Sequence, residues 1–555
     1  MRLAYKWRVL ISVIFGLFMV ILDSTVVNVA LQTLRVEFKA GLDTTQWVIS
    51  IYVLALGIAT PLSAFLADRF GIKRTYVTGL ALFVVGSFIC GISPTSTIGV
   101  LVAARALQGL GGGLALPLGT ALLFSAFTVE EQGVAFGVFG IALVVAPALG
   151  PILGGLLVDH GLWRWIFFLN VPIGALGVTL ASLWLREHKS ERKPRFDIPG
   201  FITSTLGFGS VLYAASIASD SGWTSTRVLT FFAIGAVSLV AFALIELYVA
   251  KEPLLNLRLL RLPVFTLAII VGWVSVLALF GAEFLLPLYL QELRGKTAFE
   301  TGLILLPLAI SSGIVAPFSG RIYDKIGARP LMIVGFGLLA INTWQLAQIN
   351  GDSPVSWLII LLILRGLALG LTIQTTLVIS LSVVPGREVA RASSLSNATR
   401  QVVQSIGVAV LATVLVATLS SQVKAIQTQF QNTSSSSSSS FFSEKGLCGI
   451  KPPVTPTTGG APTGVPTTTG ASGAGGPPTG APDFALIQQA CNESVQGFQN
   501  AYTLTFYFAL LALILGAFLP GWPLKWEGRK APSNNAPAEA SGGAEATTAA
   551  PVGVH

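Results

Sequence analysis

LADRFGIKR, residues 66–74, returns as IYDKIGARP, residues 322–330, with Asp68 matched to Asp324 and Gly71 to Gly327. Each copy is a short charged loop between two long apolar runs, so the unit that repeats is helix, loop, helix. A second echo keeps nearly the same offset: RALQGLGGGL (105–114) returns as RGLALGLTIQ (365–374), matching Arg105 to Arg365. The chain is therefore two related halves. Related halves around a central cavity are the mark of secondary transporters, whose substrate sites lie near the midplane between the repeats.

The composition agrees. Of 555 residues 53% are hydrophobic and only 11% charged, too few charges for a soluble protein of this size. Apolar runs of about eighteen residues or more recur along the chain, which reads as helices spanning a bilayer and excludes the alternating pattern of a barrel. The first run follows Arg2, Lys6 and Arg8, as a signal peptide would. It is long, holds Asp23 and lacks a small-x-small cleavage site, so it reads as a retained span. The fold class is an all-α polytopic membrane protein with fourteen spans.

The expected organisation is a six-helix bundle over 9–185, two inserted helices with linkers over 186–263, and spans nine to thirteen over 264–420. A Ser/Thr/Pro/Gly-rich loop follows at 421–500, then the last span at 501–521 and a tail at 522–555. Loop and tail cannot bury a core and are expected to be disordered. With the N-terminus inside, the inner loops and ends carry 22 of the Lys and Arg residues and the outer loops nine. That bias supports an even span count and two cytoplasmic termini. It also accounts for the net charge of +9 without a nucleic-acid partner.

Asp23 stands in VILDSTVVNVAL (20–31), inside the first span, where a lone charge costs at least about 2.5 kcal/mol. An offset of 260 from Asp23 lands on Glu283 in FGAEFLLPLY (280–289). Both acids sit about seven residues, or roughly 10 Å, below the outer end of their helices. Arg105 and Arg365 enter their own spans to a similar depth. Each half thus sets one acid and one arginine at one level, where pairing would offset part of the burial cost of both. A static staple between helices would use the same residues. Cys448 and Cys491 flank the disordered stretch on the oxidising side, where a disulfide could close the loop, although two cysteines leave that open.

No catalytic or cofactor constellation emerges. GLGGGLALPLG (109–119) lies mid-membrane with no preceding strand and no Gly-Lys-Ser/Thr, so it is not a phosphate loop. The three histidines have no metal-ligand spacing, and there is neither a triad nor a nucleophile elbow. No cofactor and no metal are expected.

LDSTVVNVAL (22–31), ADRFGIKR (67–74), RALQG (105–109), GPILGG (150–155), WRWIFFLNVPIG (163–174) and FLLPLYLQ (284–291) together resemble the fourteen-span drug:proton antiporters of the major facilitator superfamily, the EmrB/QacA type. The resemblance covers both halves and departs at Ala64, where the loop motif usually opens on glycine. It implies two pseudo-symmetric six-helix bundles plus two inserted helices, in a bacterial plasma membrane, and no enzyme activity.

It also implies a proton-coupled exporter of hydrophobic or amphipathic compounds, chiefly cationic, and hence multidrug efflux. A dedicated exporter of one lipid, siderophore or antibiotic, or a non-transporting receptor, are the alternatives. Asp23 is then the proton carrier, with burial favouring its neutral form and Arg105 its ionised form. Arg365 and Glu283 would act likewise in the second half. Asp68, Arg69, Gly71, Lys73 and Arg74, with Asp324, would form a conformational latch, although basic inner loops also serve topology alone. Gly150, Pro151, Gly154 and Gly155 match the antiporter motif. Asn28, Trp47, Tyr52, Gln108, Tyr289 and Gln374 are candidates for the cavity wall, where aromatic faces suit lipophilic cations. A monomer in the lipid bilayer is expected, working alone or with an accessory periplasmic protein.

Overall fold

The computed structural model describes residues 4–187, 196–420, 423, 447–449 and 484–521. Among these residues the backbone is helical almost throughout, and the only β pairing is a bridge between Gly327 and Gly521. The first half holds α1 (Tyr5–Val29), α2 (Leu42–Phe70), α3 (Ile72–Ile92), α4 (Ile98–Ala126), α5 (Gln132–Asp159) and α6 (Asn170–Trp184). Two inserted helices follow, α7 (Ile198–Ser221) and α8 (Thr226–Leu244). The second half holds α9 (Pro263–Leu288), α10 (Ala298–Ile326), α11 (Ala328–Leu346), α12 (Val355–Ser382), α13 (Val389–Ala417) and α14 (Phe484–Gly516).

Thirteen described helices are long and apolar enough to cross a membrane. The remaining one, α11, has 19 residues but carries Arg329, Asn342 and Gln345. It packs between α12 and α14, which hide its polar groups from lipid. The chain is thus a multi-pass membrane protein. With fourteen helices running alternately up and down, α1 begins and α14 ends on one side, the N-terminal face.

The structure moves one predicted boundary. The last span was placed at 501–521, whereas α14 starts at Phe484 and so takes in the end of the segment expected to be a disordered loop. Ile487, Ala490, Ser494 and Phe498 are buried at helical spacing. An amphipathic extension beyond the hydrocarbon is invisible to a hydropathy window, because half its residues are polar. The rest of 421–500, apart from 423 and 447–449, lies outside the described residues, as does the tail 522–555.

Cys448 and Cys491 form a disulfide that ties the turn Leu447–Gly449 to this extension. The extension leans on the α11–α12 connection, where Gln499 Nε2 donates to the carbonyl of Ile349 at 2.9 Å. A protease site inserted between the two cysteines is expected to give fragments that stay together on a non-reducing gel and part when reductant is added. Fragments that part without reductant would contradict the bond.

α5 and α10 make the closest seam between the halves. A β-carbon on Gly320 would overlap the carbonyl oxygen of Gly133 on the N-terminal face, and one on Gly137 would come 2.5 Å from the carbonyl of Ala316. Towards the opposite face a β-carbon on Gly155 would lie 2.9 Å from the amide nitrogen of Phe299. The second seam is built from hydroxyls. Ser63 on α2 meets Ser394 on α13 at 2.7 Å, and Ser393 donates to the carbonyl of Pro117 on α4 at 2.9 Å. α7 packs on both α2 and α13.

Candidate functional site

α1, α4 and α6 bring Asp23, Arg105, Gln108 and Asn170 to one point inside the first half. Asp23 and Arg105 are 0% and 1% exposed. Arg105 Nη1 donates to Asp23 Oδ2, and to Gln108 Oε1 at 2.9 Å. The other carboxylate oxygen, Oδ1, accepts from Asn170 Nδ2 at 2.7 Å and from Gln108 Nε2 at 3.2 Å. Arg105 is held from its other side as well. Its Nε donates to the carbonyl of Val48 at 3.0 Å, and its guanidinium carbon lies 4.2 Å from the centre of the Tyr52 ring.

Gln108 links the parts: its amide oxygen accepts from Arg105 and from the Cys90 thiol, and its nitrogen donates to Asp23 and Ser87. The carboxylate thus accepts on both of its oxygens from two other helices. Removing the arginine alone leaves a buried carboxylate with only amides. Arg105→Ala is expected to destabilise the protein by about 3–5 kcal/mol, the scale for breaking a buried pair. Thermal denaturation in detergent checks it, and an unchanged midpoint would contradict it.

The second half buries an arginine of its own. Arg365 is fully buried, and its Nη2 donates to the carbonyls of Ala278 and Leu279, both at 2.9 Å. Its Nη1 lies 3.3 Å from Asn342 Oδ1 and from Thr343 Oγ1. Glu283 lies on α9, one turn beyond those carbonyls, and its side chain is outside the described residues.

The latch residues fall on the N-terminal face and reach across the halves. Asp68 Oδ2 accepts from Arg391 of α13 through Nη2 at 2.8 Å and Nε at 3.0 Å. Asp324 accepts from the backbone N–H groups of Gly133 and Val134, at 3.1 and 3.3 Å. There the carboxylate meets the positive end of α5. Arg69 lies over the Phe70 ring. Gly71 and Gly327 both adopt positive φ, 104° and 83°, which glycine alone takes without strain. In the antiporter motif a β-carbon on Gly150 would overlap Thr25 of α1, while Gly155 faces α10. Pro151 stands inside α5 between these two contacts. The motif helix is therefore wedged between α1 and the other half.

The expected cavity residues separate into groups. Tyr52 and Gln108 are buried in the Asp23 cluster. Tyr289 is buried at the far end of α9, with its hydroxyl donating to the carbonyl of Asn350 at 2.6 Å. Trp47 stacks on Tyr213 of the inserted α7 at 5.6 Å. Asn28 is exposed. Gln374 lies between the halves opposite Gly140, 4% exposed, with no hydrogen-bond partner on its amide oxygen or nitrogen. Of the six, it alone faces the seam with an unsatisfied polar group.

Sequence reasoning missed Asn170 and Arg391. Asn170 was visible as a lone amide opening an apolar helix. Arg391 read as one more inner-loop cation.

Over residues 13–408 the chain matches the model of the Major Facilitator Superfamily. It is 36% identical over 405 residues to the uncharacterized MFS-type transporter YhcA of Bacillus subtilis, covering 73% of this chain and 76% of that one. It is 35% identical over 417 residues to the multidrug resistance protein Stp of Mycobacterium tuberculosis, covering 75% and 77%. The lincomycin resistance protein LmrB of Bacillus subtilis is 31% identical over 411 residues, covering 74% and 85%. Among solved structures, the human organic anion transporter MFSD10 superposes with a TM-score of 0.55 at 11% identity, covering 93% of this chain and 100% of that one. A double-Trp mutant of XylE gives 0.55 at 13%, covering 95% and 98%. Two related helical halves and a family model spanning both lead to one conclusion: the chain belongs to the Major Facilitator Superfamily, whose members are membrane transporters and not enzymes.

Proposed function

We propose that this transporter is a proton-coupled antiporter of the fourteen-span EmrB/QacA type, exporting hydrophobic or amphipathic cations across a bacterial plasma membrane. Asp23 carries the proton. The observation that supports this reading most is the buried Asp23 carboxylate held by Arg105 of α4, because taking up a proton removes the charge that pairs with the arginine and so weakens the tie between α1 and α4. Cation export and proton entry are then alternatives at one coupled site. The N-terminal face is the cytoplasmic one, a reading that the Lys and Arg distribution supports. Relatives named for multidrug and lincomycin resistance support drug-like substrates.

The test uses everted membrane vesicles with an acidified lumen and a pH-sensitive dye. Adding ethidium or tetraphenylphosphonium is expected to release protons and lower the gradient within seconds to minutes. A gradient that no member of a broad lipophilic-cation panel disturbs would refute the proposal.

A further inference from the structure

α3 begins at Gly71, whose φ of 104° lets the chain turn but leaves the helix without a side-chain cap of its own. The first amides of the helix still need an acceptor. They find one far along the sequence. Glu187, just after α6, accepts from the N–H groups of Lys73 and Arg74 at 3.1 and 3.2 Å, and its carboxylate lies 3.7 Å from Arg74 Nε. It fills the space a β-carbon on Gly71 would need.

The second half solves the same problem differently. α11 also starts after a positive-φ glycine, Gly327. There the amide of Arg329 donates to the carbonyl of Pro520 at 3.3 Å, and the next residue, Pro330, has no N–H to satisfy. Pro520 follows α14 as Glu187 follows α6. In each half, then, the segment leaving the sixth helix caps the third. One strap is a charged side chain, and the other is neutral backbone.

We propose that Glu187 is a positioning residue of the latch: it fixes the α2–α3 loop so that Asp68, three residues before Gly71, meets Arg391 when the N-terminal face closes. The role in transport rests on the antiport reading above, whereas the effect on closure does not.

The experiment separates the two. Nitroxide labels on Glu130→Cys and Arg387→Cys, exposed residues of opposite halves, report closure of the N-terminal face by pulsed electron resonance. Glu187→Ala is expected to lower the closed fraction relative to the open one by about tenfold, the scale of a lost helix cap. Glu187→Gln should fall between Ala and the parent, since its amide oxygen still accepts but carries no charge. Hydrogen exchange at Lys73 and Arg74 should speed up in the same order, with the rest of α3 unchanged. Distance distributions identical in all three proteins would overturn the proposal, as would general loss of protection across the first half. Absence of antiport in the parent protein with the labels still responding to Glu187 would defeat the functional reading alone.

Discussion

Asparagine at position 23 is expected to abolish uphill export while leaving downhill exchange of substrate measurable. The substitution keeps the shape and one acceptor oxygen but cannot take up and release a proton. Active extrusion should fall by at least about two orders of magnitude, the scale on which a proton-transferring side chain acts. Arg105 would then face a neutral partner inside the bundle, with a destabilisation on the scale of a broken buried pair. The double variant Asp23→Asn with Arg105→Gln removes both charges and keeps a hydrogen-bonded pair, so it separates loss of coupling from loss of folding. Substrate accumulation against a gradient by the folded double variant, in proteoliposomes with an imposed pH difference, would refute Asp23 as the carrier.

Valine in place of Gly320 is expected to hold the N-terminal face open. The helices touch there backbone to backbone, and an added β-carbon would overlap the carbonyl of Gly133. One turn on, Asp324 takes the amides of Gly133 and Val134, bonds that need the same approach. Overpacking of this kind costs about 1–3 kcal/mol. That shifts a two-state equilibrium about 5- to 150-fold, enough to leave a closed state of comparable energy sparsely populated. The readout is a thiol reagent on Ser393→Cys in a Cys90→Ala background, since Ser393 is buried between α4 and α13 in the closed form. Labelling should rise and transport should fall together. Normal transport with position 393 still protected would contradict the steric argument.

The hydroxyl seam and the glycine seam differ in what they cost to part. Ser63, Ser394 and Ser393 exchange one another for water on separation, at a net of about 0.5–1.5 kcal/mol per bond. The Asp68–Arg391 pair must part with them. α5 and α10, in contrast, touch backbone to backbone, so their approach is set by steric fit and not by hydroxyl bonds.

The sequence alone determined the membrane class, the duplicated halves and the common depth of Asp23 and Arg105. The first and last follow from the cost, set residue by residue, of putting backbone, carboxylate or guanidinium into hydrocarbon, and the duplication from motifs that recur in the chain, so a one-dimensional reading suffices. Tertiary structure alone decided that Asn170 completes the Asp23 cluster, that Arg391 answers Asp68, and that the Tyr52 ring lies against Arg105. It also decided that Glu187 caps α3 from more than a hundred residues away. Helices that are apolar nearly all round carry no periodic signal of which side faces which neighbour. Rotation and partner choice come from glycine contacts and cross-helix hydrogen bonds that exist only once the bundle has packed.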